Sequence, residues 1–139
     1  MSRSGYSDDC ENVGLWRGAV KRATNGYHGQ HLLRKLRDAL DAMPMKRLIT
    51  DAIKDDKGEV CAFGALDSSV DAYDAEVLAE HFHIARALAA EIVYMNDEYP
   101  DPHRWRDGRN ETPEERWTRM RAWVDEQIVK PVADDAVGQ

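Results

Sequence analysis

The stretch from Asp74 to Glu98 constrains this chain more than any other. Within it Leu78, Phe82, Ala85, Leu88, Ala89, Ile92 and Met95 recur at steps of three and four residues, and Pro100 closes the pattern. That period lays the apolar side chains along one side of a helix, because positions three and four apart share a face. Such a stripe is stable only against other apolar surface, and burying Leu78, Phe82, Leu88 and Ile92 contributes about 1.5–3 kcal/mol each. His83 falls where the stripe changes phase. The spacing therefore predicts a helix to Phe82 with Asp74 as its N-cap, a turn at His83, and a second helix to about Glu98.

Partner stripes lie on both sides of it. A short helix is expected over Leu15–Ala23, with Trp16, Ala19, Val20 and Ala23 on one side. Asn25-Gly26 ends it, glycine being free to take the left-handed C′ conformation. A second is expected over Gly29–Ala42, buried through Leu32, Leu33, Leu36, Leu40 and Met43 and stopped by Pro44. On its outer side Arg34 and Asp38, and Arg37 and Asp41, stand four apart, the spacing of weak helical ion pairs. Thr112-Pro113-Glu114-Glu115 spells a capping box with proline at the first helical position. The helix it opens runs to about Val129, with Trp117, Met120, Val124 and Ile128 inward, Trp123 at the flank and Pro131 beyond its end.

Residues 46–64 are less determined. KRLITDAI reads as a short strand or a helical turn, and Lys57-Gly58 marks a turn. A helix from about Val60 to Asp67 is preferred, with a small hairpin as second choice. Ala62, Gly64 and Ala65 would let a neighbouring helix approach closely. The expected fold is all-α, or mostly α with one short β-hairpin: a compact single-domain bundle of about five to six helices over 13–130, with a leader at 1–12 and a tail at 131–139.

The 139 residues are enough to bury a proper core. No apolar run approaches a bilayer span, and Met1–Asn12 lacks the apolar centre of a signal peptide, so a cytoplasmic location and no membrane contact are expected. Cys10 lies in a polar setting and Cys61 in an apolar one, which reads as two reduced thiols. The net charge of −7 is unevenly laid out. Residues 13–50 carry eight bases against two acids, whereas 51–98 carry three against twelve. Complementary blocks of this kind either face each other or steer partners.

No residue set spells out a reaction. There is no phosphate-binding loop, dinucleotide fingerprint or nucleophile elbow. His81 and His83 stand two apart, His28 and His31 lack an accompanying ligand set, and no metal or other cofactor is expected. An apolar setting raises the pKa of a thiol, which makes Cys61 a structural residue rather than a nucleophile. Glu91, Asp97 and Asp101 form the one carboxylate group that could serve a small hydrolase. Acids at a helix C-terminus oppose its dipole, however, and arginines of the 104–121 segment are the expected counterweight. The basic block of residues 17–47 lacks interleaved aromatics, which disfavours nucleic acid as the main ligand but leaves a regulatory or DNA-associated protein as an alternative. In the Tyr99–Glu111 loop, Trp105 lies between Arg104 and Arg106, residue types enriched at interface hot spots. Trp105, Arg104 and Arg106, with Asp97, Glu98 and Asp101 as an acidic rim, are the expected partner-binding residues.

Leu15–Ala19 (LWRGA), Cys61–Leu66 (CAFGAL), Leu88–Glu98 (LAAEIVYMNDE) and Glu111–Val124 (ETPEERWTRMRAWV) together resemble a family of small proteins of proteobacterial phages and prophages, over roughly residues 15–124. The resemblance implies no activity and no catalytic residue. It implies a mobile-element context, in which small, acidic, cofactor-free proteins include inhibitors of host defence such as anti-CRISPR proteins. The function expected on that basis is non-enzymatic. It is a phage-encoded inhibitor in the bacterial host cytoplasm that binds and blocks a host protein, a CRISPR-Cas effector complex or its nuclease-helicase.

Overall fold

A computed structural model describes residues 13–71, 74–98 and 111–129. Six helices occur among them: α1 (Val13–Asn25), α2 (Tyr27–Ala42), α3 (Ala62–Leu66), α4 (Ala75–Phe82), α5 (Arg86–Asp97) and α6 (Pro113–Gln127). No sheet forms among the described residues, and the protein is an all-α fold. The expected leader at 1–12, the tail at 131–139 and the 99–110 loop lie outside the described residues.

α5 is the central element. Ala87–Val93, Met95 and Asn96 are all buried, and it packs against α1, α3, α4 and α6. Leu88 and Ile92 are fully buried, as are Leu33, Leu36 and Leu40 of α2, Leu78 of α4, and Met120 and Val124 of α6. Ala85 does not join this core; it is the exposed N-cap of α5, because the chain bends out of the stripe at His83. His83 ends α4 in the left-handed conformation, with φ 58° and ψ 45°, and Asp74 caps its start by accepting from the Val77 N–H.

Gly26 behaves differently from expectation. Its φ of −76° and ψ of 169° are extended, so it serves as the N-cap of α2 rather than as a left-handed stop for α1. Three positions on, a β-carbon at Gly29 would stand 2.0 Å from the Ala23 carbonyl oxygen, so only glycine lets α2 start this close to the end of α1. Gln30 then secures the corner. Its amide nitrogen donates to the carbonyls of Thr24 (2.7 Å) and Gln127 (2.9 Å), and its oxygen accepts from the Val129 N–H (2.8 Å).

Residues 46–61 combine both readings of that stretch. A tight turn at Asp55–Gly58 folds the chain back with one antiparallel bridge, Lys54 to Val60, and α3 begins directly afterwards. The close neighbour of Gly64 is the 53–60 turn segment and not a helix: a β-carbon there would meet the Ile53 carbonyl oxygen at 2.2 Å. Asn96, fully buried, ties this segment to α5. It accepts from the Ala62 N–H (3.1 Å) and donates to the Ile49 carbonyl (2.9 Å).

A candidate partner-binding cleft at the end of α5

The C-terminus of α5 carries Asp97 and Glu98, both half-buried, beside the N-terminal half of α6 and the 49–55 segment. Together these enclose a cleft of about 560 Å³ lined by Ile49, Thr50, Ala52, Asp55, Asp97, Glu98, Glu111, Pro113, Arg116 and Arg119. The α6 side is held by its cap. Thr112 Oγ1 accepts from the Glu115 N–H (3.1 Å) and the Glu115 carboxylate accepts from the Thr112 N–H (2.9 Å), the capping box the sequence announces. The Leu48 N–H donates to the Pro113 carbonyl (3.1 Å), docking the loop on the start of α6.

Two arginines of α6 offset the acids. Arg119 grips Glu111 through Nε (2.6 Å) and Nη2 (2.9 Å), and its Nη1 donates to the Met95 carbonyl (2.5 Å). That last bond satisfies a carbonyl in the final turn of α5, where cationic donors are favoured. Arg116 donates from Nη1 to the Leu48 carbonyl (2.9 Å). Its Nε lies 3.3 Å from Glu111 Oε1 but out of line for a hydrogen bond. Burial pushes the Arg116 guanidinium below its ordinary pKa, and Glu111, Asp97 and Asp51 push the other way. Asp97 Oδ1 accepts from Asn96 Nδ2 (2.7 Å) and from the Asp51 N–H (3.3 Å). Asp51 has a φ of 67°, a left-handed conformation uncommon for a residue bearing a side chain. The lining carries four carboxylates (Asp55, Asp97, Glu98, Glu111) against two guanidiniums.

Of the six residues expected to bind a partner, Asp97 and Glu98 line this cleft; Asp101, Arg104, Trp105 and Arg106 lie outside the described residues. The hydrolase alternative does not gather its described members. Glu91 is buried and engaged by Arg17 through two hydrogen bonds of 2.9 and 3.0 Å, whereas Asp97 sits at the cleft. Cys61 is buried at the start of α3. Among the described residues no three His, Cys, Asp or Glu side chains are placed to hold a metal ion, and no helix is long and apolar enough to cross a membrane.

Half of the basic block is structural. Arg17 pairs with Glu91, Arg37 with Asp38, and Arg47 with both Glu59 and Glu114. Lys46 donates to the carbonyls of Asp41 and Met43 (2.5 and 2.6 Å) at the end of α2. Arg37 does not reach Asp41 as its spacing suggests. Arg121 of α6 takes that carboxylate in a two-pronged contact (2.7 and 3.1 Å), a better geometry than a helical neighbour offers. What sequence reasoning missed is Glu111 as a cleft-lining residue, whose only signal is a place beside the capping box; Arg116 and Arg119 belong to the arginines expected to offset the acids.

Comparison with protein-family models, with curated proteins and with solved structures finds no match for this chain. The class of protein is thus given by its fold and cleft: an all-α protein with an acid-rich cleft where its central helix ends.

Proposed function

We propose that this protein is a non-enzymatic inhibitor, encoded by a phage and acting inside a bacterial host, that docks on a host defence protein. The target is a CRISPR-Cas effector complex or its nuclease-helicase. The observation that carries this reading is the cleft beside Asp97 and Glu98, with its excess of carboxylates on a backbone fixed by Asn96 and the α6 cap. Proteins that handle nucleic acid hold it in positively charged channels, and an acid-rich surface is the complement of such a channel. The net charge of −7 favours encounter with the same kind of target. A cleft held rigid before binding also loses little freedom on docking.

The test is plaque formation by a targeted phage on a host with active CRISPR immunity, with and without this protein. Expression should restore plaques, and the protein should co-purify with the effector. Glu98→Lys combined with Asp97→Asn should abolish both while leaving the melting temperature nearly unchanged, since asparagine keeps the acceptor used by Asn96 and Asp51. Full inhibition by that variant would remove the cleft from the interface. No protection by the unmodified protein would remove the CRISPR target.

A further inference from the structure

Four of the chain's five histidines, from two distant stretches, line one groove of about 480 Å³. His28 and His31 come from the first two turns of α2, His81 from the last turn of α4, and His83 from its left-handed cap. Lys35 stands one turn further along α2, and Leu32, Leu66 and Phe82 supply apolar surface. The Phe82 ring is fixed from behind by stacking on buried Phe63 at 5.0 Å. Tyr27, 79% exposed, lies nearly parallel to the His31 ring (6.2 Å, 7°) and edge-on to His28 (5.4 Å). The groove thus joins aromatic and aliphatic surface to a row of nitrogen donors, the composition of a small-ligand site.

Charged and polar groups face it from three elements. Facing it are His28, His31 and Lys35 from α2, Asp67 from the end of α3, and His81 and His83 from the end of α4. Asp67 is the one carboxylate of the lining. It accepts from Ser69 N (3.0 Å), Ser69 Oγ (2.5 Å) and His81 Nε2 (3.1 Å), contacts that hold it below the usual carboxylate range and so ionised.

We propose that this groove binds a small aromatic phosphate ester of mononucleotide size, its ring on the Leu32, Leu66 and Phe82 surface and its phosphate met by His28, His31 and Lys35. The site goes beyond the inhibitor reading and shares no residue with the acidic cleft. Adenosine monophosphate is a suitable probe, titrated into the full chain at constant ionic strength. Binding should saturate at one site. Adenosine and inorganic phosphate should each bind at least tenfold more weakly than the nucleotide. His28→Gln with His31→Gln should weaken binding at least tenfold with an unchanged melt. Should that variant fail to fold, Lys35→Gln, at an exposed position, should weaken binding severalfold. No nucleotide binding, inorganic phosphate as tight as the nucleotide, or unaltered binding in the folded variants would each overturn the proposal.

Discussion

Thr112 and Asp41 anchor α6 in different ways, and each makes a measurable prediction. Thr112 satisfies a donor that the first turn of any helix leaves open, and Glu115 returns the bond. Thr112→Ala should cost about 0.5–2 kcal/mol in urea unfolding, with the slope of the transition unchanged. Asp41 is held below the usual aspartate pKa, first by its hydrogen bond to Arg121 and further by the charges of Arg121, Lys46 and Arg37. A carboxyl depressed in the folded state stabilises the fold above its unfolded pKa and loses that contribution as pH falls through the folded value. The pair is half exposed, so its worth is about 0.2–1 kcal/mol. Asp41→Asn should therefore lower stability at pH 7, and the gap to the unmodified protein should shrink as pH falls below about 4. A gap that does not change with pH would mean that Asp41 acts through packing.

At the scale of elements, α5 owes its place to side chains that meet from four directions, and substitutions there act through volume. Leu88 is fully buried next to Gly29, whose hypothetical β-carbon would stand 3.1 Å from Leu88 Cδ2. Leu88→Ala should cost about 2–5 kcal/mol by leaving a cavity, read as a fall in melting temperature. Gly29→Ala errs the other way: its methyl group would collide with the Ala23 backbone, and overpacking of this kind costs about 1–3 kcal/mol or more. Equal stability for either variant would mean that the α1–α2 corner is misplaced. These helices were readable in the sequence because their signals are local: the α5 period, the left-handed break at His83, the caps at Asp74 and Thr112. The 46–61 segment was not, because what fixes it is remote. Asn96 bonds to Ile49 and Ala62, Arg116 bonds to Leu48, and Gly64 lies against the Ile53 carbonyl only once α3, α5 and α6 have assembled. The same holds for the sites. Asp97 and Glu98 were legible as acids crowding a helix end. The meeting of His28 and His31 with His81 and His83 appears only when α2 and α4 converge.

At the scale of the whole molecule, the two charge blocks partly neutralise each other. Arg17 reaches Glu91 and Arg47 reaches Glu59, each a base of the first block on an acid of the second. Lys46 caps carbonyls and Arg37 pairs locally. Among the described residues this leaves Lys21, Arg22, Arg34 and Lys35 as the block's exposed cations without a carboxylate partner. The alternative in which this block grips DNA then has a quantitative limit. Each phosphate neutralised adds about 0.9 to the slope of log affinity against log salt, so four cations give a slope no steeper than about −3.6. A chain of net charge −7 also works against that attraction. Duplex DNA should therefore bind weakly or not at all at physiological salt, and what binding occurs at low salt should vanish on reversing Lys21, Arg22, Arg34 and Lys35 to Glu. Fluorescence anisotropy on a labelled duplex across a salt series reads both quantities. Sub-micromolar binding at physiological salt with a slope much steeper than −3.6 would require the paired arginines to leave their carboxylates for phosphate, and would put the DNA-associated reading ahead of the inhibitor.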